Sequence, residues 1–155
     1  METGRADGVV LRRPHGEPDV VPAARLHRAS MRAAMPWLAV VHTPDEDVAW
    51  MRDTVFATHS VWLACAGEAI IGVASRRDTW LMQLYVAPDW TGHGIGTRLL
   101  ELIAAESPTI ELWAFQRNAR ARRFYERHGF TPVEFTDGAG NEEREPDLRY
   151  RRRAR

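Results

Sequence analysis

The stretch LYVAPDWTGHGIGTRLL, residues 84–100, passes from a strand-like apolar segment through three alternate glycines into a helix-like apolar rhythm. Gly92, Gly94 and Gly96 give up side-chain contacts and backbone order, so this junction needs a path that other residues resist. Where a strand turns into a helix, the first helical N–H groups lack acceptors and the positive end of the dipole is exposed; an anion satisfies both. Glycines let those N–H groups turn inward and let a phosphate approach without meeting a Cβ atom. Two known phosphate loops do not fit. A Walker A loop ends in Gly-Lys-Ser/Thr, whereas Gly96-Thr97-Arg98 has no lysine. The dinucleotide fingerprint needs a third glycine where Thr97 stands. A glycine-rich turn without a ligand is the alternative.

The rest of the chain bounds these readings. Its 155 residues suit one domain, with 1–7 and 152–155 expected to be loose. Lys+Arg and Asp+Glu both number 21, every basic residue being arginine, so no global field draws in nucleic acid. Cys65, the one cysteine, lies in the apolar run VWLACA and reads as a small buried hydrophobe, which excludes disulfides and cysteine-based metal sites. The six histidines lack ligand spacing, so no metal is expected. No signal-peptide pattern or membrane-length apolar stretch is present, and a soluble cytoplasmic protein is the expectation.

GVVLRRP reads as a first strand ended by Pro14, and residues 19–34 permit a helix. TPDEDVAWMRDTVF starts a second helix, with Thr43 as N-cap, Pro44 at the first helical position and three acids in the first turn. SVWLACAG, AIIGVASRR and TWLMQLYVAP are strands joined by short breaks at Gly67-Glu68 and Arg77-Asp78, hence antiparallel neighbours. After the glycine loop, Ile95, Leu99, Leu102 and Ile103 share one helix face. TIELWAF is the next strand, and NARARRFYERH a helix opened by Asn118 and closed by Gly129. FTPVEF and DLRYRR are final strands around the polar segment TDGAGNEEREP. The order β-α-α-β-β-β-α-β-α-β-β predicts an α/β (α+β) fold, with a mixed, mostly antiparallel seven-stranded sheet flanked by about four helices.

Two of these segments carry a resemblance. LYVAPDWTGHGIGTRLL resembles motif A of the GCN5-related N-acetyltransferases (GNAT), Q/R-x-x-G-x-G/A. NARARRFYERHGF resembles their motif B, N-x-x-A-x-x-x-Y-E-x-x-G-F, matching at Asn118, Ala121, Tyr125, Glu126, Gly129 and Phe130. The two motifs stand in family order with one strand between them, and the resemblance covers at least Trp80 to Phe130. Thr91 departs from the pattern by standing where the family has Gln or Arg, which leaves the pyrophosphate to the backbone. The late segment NEEREPDLRY and the stretch MPWLAVVHTPDED resemble an uncharacterised bacterial subgroup of the family.

The resemblance implies a single GNAT domain that binds acetyl-CoA and needs no metal. The backbone N–H groups of Gly92, His93, Gly94, Ile95, Gly96 and Thr97 would hold the pyrophosphate. Leu84 and Val86 would bond the pantetheine through their backbones, as a peptide pairs with a strand edge. Asn118 would touch the cofactor while capping its helix, and Arg98, Arg120 and Arg123 are candidate partners for the adenosine phosphates. Tyr125 would be the general acid that protonates the departing thiolate. A homodimer is an open expectation, being common in the family.

Acetyl transfer also needs an unprotonated amine, although a free alkyl ammonium titrates near ~10. Gln83 cannot take that proton and could only hold a water. His42 and Glu46, with Glu142, Glu143 and Asp147 of the late loop, are the remaining candidates around an acceptor pocket whose acidic rim suits a cationic amine. The chain is therefore read as an N-acetyltransferase that moves an acetyl group directly to a primary amine of a small molecule or peptide. The alternatives are a non-catalytic acyl-CoA binding module and an aminoacyl-tRNA acetylating enzyme; only RYRRRAR supports a nucleic-acid partner.

Overall fold

In the computed structural model, which describes residues 8–153, seven strands form one sheet with helices on both faces. The strands are β1 (Val9–Arg12), β2 (Ser60–Ala66), β3 (Ala69–Arg77), β4 (Trp80–Val86), β5 (Thr109–Phe115), β6 (Thr131–Phe135) and β7 (Asp147–Arg153). The α-helices are α1 (Glu17–Ala34), α2 (Pro44–Trp50), α3 (Ile95–Ala104) and α4 (Ala119–Arg127). The sheet order is β1-β2-β3-β4-β5-β7-β6, antiparallel throughout except where β4 meets β5. This is the predicted element order, and the sheet is mixed and mostly antiparallel as expected.

Local chemistry sets the boundaries. Thr43 and Glu46 form a reciprocal capping box: the Glu46 N–H donates to Thr43 Oγ1 over 3.1 Å, and the Thr43 N–H donates to Glu46 Oε1 over 2.9 Å. The expected second helix does run to Phe56, but from Met51 it widens into a π-helical stretch. The first helix begins at Glu17, two residues earlier than expected, because Pro18 fits a first turn that needs no amide donor. Gly67 turns the β2–β3 hairpin with a φ of 60°, and Asp78 turns β3–β4 with a φ of 55°.

Each face of the sheet buries one helical layer. Val20, Ala23, Ala24 and Leu26 of α1 pack with Met51 and Val55 over Leu63 and Val73. On the other face Ile95, Leu99, Leu100 and Ile103 of α3 pack over Ala64, Leu81, Leu112 and Leu148. Leu100 takes the place in the stripe expected of Leu102, which is half-buried. A Cβ on Gly72 would lie 3.0 Å from Leu99 Cδ1 and 3.1 Å from Ala64 Cβ, so glycine lets α3 sit close on β3. Cys65 is buried and unpaired, as its apolar setting predicted.

The tail corrects one expectation. Residues 152–155 were expected to be loose, yet β7 continues through Arg153 because Ile110 and Thr109 of β5 pair with Arg152 and Arg153. The Arg152 guanidinium donates to the His128 carbonyl over 3.0 Å and lies over the Phe130 ring. Residues 1–7 and 154–155 lie outside the described residues. Among the described residues no helix is long and apolar enough to cross a membrane.

Glu106, just beyond α3, ties the layers together. Its carboxylate accepts from Ser60 Oγ at 2.6 Å, Trp62 Nε1 at 2.9 Å, Arg13 at 2.7 Å and Arg76 Nε at 3.2 Å. Burial alone would raise its pKa, but these donors outweigh burial and hold it at about 2, against an ordinary 4.5. A depressed carboxyl adds stability that is present above the unfolded value and is lost as pH falls through the folded one. Glu106→Gln should therefore be less stable than the parent by on the order of 2 kcal/mol at pH 7. In urea unfolding, the gap between the two proteins should close as pH drops from 4.5 toward 2; a constant gap would show that the carboxylate contributes no charge-dependent stability.

Candidate active site

The site begins with a defect in β4. Ser75 of β3 pairs with Gln83 and Arg76 pairs with Leu81, so Met82 is left over as a bulge. The bulge resets the strand's phase: Leu81 joins the α3 face of the core, Met82 is exposed, and Gln83 is buried opposite Ser75. Beyond it β4 and β5 part. They pair only at Trp80 and Glu111, after which β5 follows β7.

A cavity of about 470 Å³ opens where the strands separate. Leu84 and Val86 form its β4 wall; Gly92, Gly94, Ile95, Gly96 and Thr97 close one end; Asn118 and Tyr125 face them from α4, and Gln83 also lines it. Nine of the ten residues expected to hold the cofactor or act as the acid therefore line one cleft, together with Gln83 of the expected acceptor pocket. The tenth, His93, is exposed, with its ring against Trp90 at 6.1 Å between centroids.

The glycine loop is built by φ angles. Gly92 and Gly94 have φ of 82° and 79°, the left-handed region that L side chains resist, and neither has atoms within 4 Å of where a Cβ would stand. Gly94 caps α3 without any side-chain cap. Among the described residues no side chain caps the first amides of α3, and the residues that carry them line the cleft. Gly96 has no such constraint, since a Cβ there would make only ordinary contact at 3.5 Å with Phe124.

Asn118 caps α4 as predicted, accepting from the Ala121 N–H over 3.2 Å. Seven residues on, the Tyr125 ring packs among Phe124, Phe130 and Tyr150. Burial, then the neighbouring Tyr85, pushes the Tyr125 phenol far above its ordinary 10. Tyr85 is itself pushed up to about 12 by burial and by Glu143.

The arginines divide. Arg120 lines the cleft, whereas Arg98 turns toward β1, its guanidinium 3.4 Å from the Val9 carbonyl, and Arg123 is exposed away from the lining. Arg127, which the sequence reading did not single out, lines the cleft beside Arg120.

The expected acceptor residues meet, but not in the cleft. His42 Nε2 lies 2.6 Å from Glu142 Oε2, and His42 Nδ1 lies 3.8 Å from Glu46 Oε2. This exposed cluster joins the approach to α2 to the loop between β6 and β7. Glu142, chiefly by its hydrogen bond, raises the His42 pKa. Glu143 bears on Tyr85 through its charge. Asp147 accepts from Thr136 Oγ1 and Asn141 Nδ2, and with them lines a second cavity of about 520 Å³. Both cavities share Trp113, Ala114 and Phe115 of β5. The aromatic wall of Trp113 and Phe115 was missed in the sequence reading, although the alternation of TIELWAF puts both on one face of the strand. Among the described residues no three His, Cys, Asp or Glu side chains gather as a metal site.

A family model described as an acetyltransferase (GNAT) domain matches residues 57–132, which hold the β4 bulge, the glycine loop and α4. YafP, an uncharacterized N-acetyltransferase of Escherichia coli K12, is 30% identical over 100 residues, or 59% of this chain and 63% of that protein. Peptidyl-lysine N-acetyltransferase YiaC of the same organism is 28% identical over 85 residues, 54% of this chain and 58% of its own. The chain spans between 36% and 63% of the length of the curated relatives it matches. In fold it is similar to the PaiA N-acetyltransferase of Thermoplasma acidophilum, solved in complex with coenzyme A, with a TM-score of 0.70 at 18% identity over 94% of this chain and 98% of that one. Residues 57–132, about half of the chain, thus match a GNAT acetyltransferase domain.

Proposed function

We propose that the protein moves an acetyl group from acetyl-CoA directly to a primary amine of a small molecule or peptide. One observation carries this reading: a single cleft has a helix start without a side-chain cap at one end, the open edge of a parted strand along its wall and a protonated phenol on its lining. These are the groups a diphosphate, an amide-bearing chain and a leaving thiolate each require. The complex of PaiA with coenzyme A supports the same reading.

Acetyl-CoA, when bound, supplies a thioester whose acyl carbon an amine attacks. The backbone amides from Gly92 to Thr97 hold the diphosphate, and the glycine conformations at 92 and 94 aim those amides before any ligand arrives. Thr91 spends its hydroxyl on the Pro88 carbonyl over 3.0 Å, so the backbone carries the diphosphate there. Leu84 and Val86 offer peptide groups to the pantetheine arm. Amides of the bulged β4 are positioned to polarise the thioester carbonyl. Tyr125 keeps its proton at neutral pH and gives it to the sulfur as the thiolate departs. Cys65 is buried in β2 outside the cleft lining, which favours direct transfer over an acyl-enzyme. The acids of the late loop form a rim that draws a cationic amine toward the cleft.

Coenzyme A titrated into the protein should release heat and raise its melting temperature. Gly94→Ala places an L side chain at a φ of 79°, a cost of roughly 1–2 kcal/mol that distorts the cradle. Its affinity should fall at least about tenfold, since each 1.4 kcal/mol is a factor of ten. Gly96→Ala should bind within a few-fold of the parent. Absence of any heat or melting shift in the parent protein at millimolar coenzyme A would overturn the proposal.

A further inference from the structure

Among the described residues, Gln83 is a buried carboxamide without a partner. Its residue is 4% exposed, it lines the cleft, and neither Oε1 nor Nε2 has a hydrogen bond to any of them. Its ladder partner across β3, Ser75, has its hydroxyl 3.2 Å from His59 Nδ1. Burying both ends of an amide unsatisfied is costly, and a leucine or methionine would fill this place without that cost. The β4 bulge is what turns Gln83 to this face, beside Tyr85 and away from the apolar α3 layer. The position is thus built to present one donor and one acceptor, side by side and dry, next to the stretch of β4 that would flank the thioester.

We infer that Gln83 reads the acceptor, and that the acceptor is an α-amino carbonyl compound, the amino end of a peptide or an amino-acid amide. This rests on the acetyl-transfer reading above. Rotation about the side-chain torsions brings the carboxamide into the cleft. Oε1 then accepts one N–H of the amine, leaving the nitrogen lone pair free for the acyl carbon, and Nε2 donates to the carbonyl oxygen on the adjoining carbon. A simple alkylamine engages only Oε1 and leaves Nε2 orphaned. A free amino acid brings a carboxylate toward Glu143, whose charge already bears on Tyr85 of the cleft, so a neutral carbonyl fits better. Trp113 and Phe115 wall the path along which the rest of such a peptide would lie.

The test compares alaninamide with 3-methylbutan-2-amine, its hydrocarbon isostere, by thiol release, with kcat/KM expressed per neutral amine. The wild-type protein should favour alaninamide at least ~100-fold, as sites built to hydrogen-bond a substrate do. Gln83→Leu and Gln83→Met should bring that ratio within about fivefold of unity while the melting shift with coenzyme A stays intact. A wild-type ratio near unity, turnover of neither amine, or a preference that survives in either folded variant overturns the inference. If neither variant folds, the wild-type ratio alone decides. In all these outcomes a retained coenzyme A melting shift leaves the cofactor reading standing. Loss of the shift in the wild type removes that reading first.

Discussion

Tyr125→Phe should lower kcat by roughly 10²–10³-fold and leave coenzyme A affinity within about twofold of the parent, because a positioned general acid contributes on that scale. The phenyl ring keeps every ring contact that Tyr125 makes with Phe124, Phe130 and Tyr150, so packing is preserved and only the proton donor is lost. Burial and Tyr85 hold the phenol protonated well past its ordinary 10, and the group stays an acid throughout the range in which an amine loses its proton. In the wild type, kcat/KM should consequently climb with pH as the amine titrates, with no falling limb assignable to Tyr125 below about pH 10. Stopped-time thiol release across pH 6–10 on both proteins checks this. Equal turnover by the phenylalanine variant would assign Tyr125 to packing alone.

Much of this arrangement could be read in the chain itself, and the legible parts share a cause. Gly92 and Gly94 stand out because positive φ is a local demand that one residue type answers. Asn118 and Gly129 mark the ends of α4 for the same reason. Thr43 and Glu46 cap each other within one turn, so that helix start was also visible. What escaped notice depends on partners far apart in sequence. His42 and Glu142 were both expected near one pocket, but their direct pairing across an interval of 100 residues was not legible. Glu106 gathers donors from three other segments, and nothing in AAESPT hints at it. Tyr150 looks like one polar residue in an arginine run, yet it is fully buried, donating its hydroxyl to Glu126 while Arg122 donates to it. Arg152 and Arg153 looked like a charged tail because a ladder partner on β5 cannot be seen from within DLRYRR. Gln83 reads from sequence as an acceptor-pocket residue that cannot take a proton and can only hold a water. Its orphaned burial exists only once the Met82 bulge is known, and alternation alone would have put residues 81 and 83 on one face.

The second large effect is expected at Gly138, in the loop that carries Glu142 and Glu143, the proposed acceptor rim. Its φ is 83°, and a Cβ would stand 2.4 Å from the Glu145 carbonyl carbon, 2.5 Å from its oxygen and 2.8 Å from Pro146 N. These are backbone atoms and cannot swing aside as a flexible side chain does. The loop is cross-tied where the clash falls: Asn141 Nδ2 donates to the Glu145 carbonyl over 2.8 Å, and the Glu145 N–H donates to Asn141 Oδ1 over 3.2 Å. Gly138→Ala must therefore open the loop. Left-handed strain alone costs roughly 1–2 kcal/mol, and the clash adds to it, so the melting temperature should drop by about 5 °C or more. Opening the loop also draws Glu142 from His42 and Glu143 from Tyr85, removing the acidic rim. The KM for a cationic amine should rise by about two- to fivefold, the scale of one or two exposed and screened charge contacts. Coenzyme A binding, proposed at Gly92 to Thr97, should not change. Gly140→Ala is the matched control, since its Cβ would have no atom within 4 Å and no positive φ constrains it. A Gly138→Ala protein with the parent's acceptor KM would remove the loop from the acceptor site and leave the aromatic wall of Trp113 and Phe115 to define it alone.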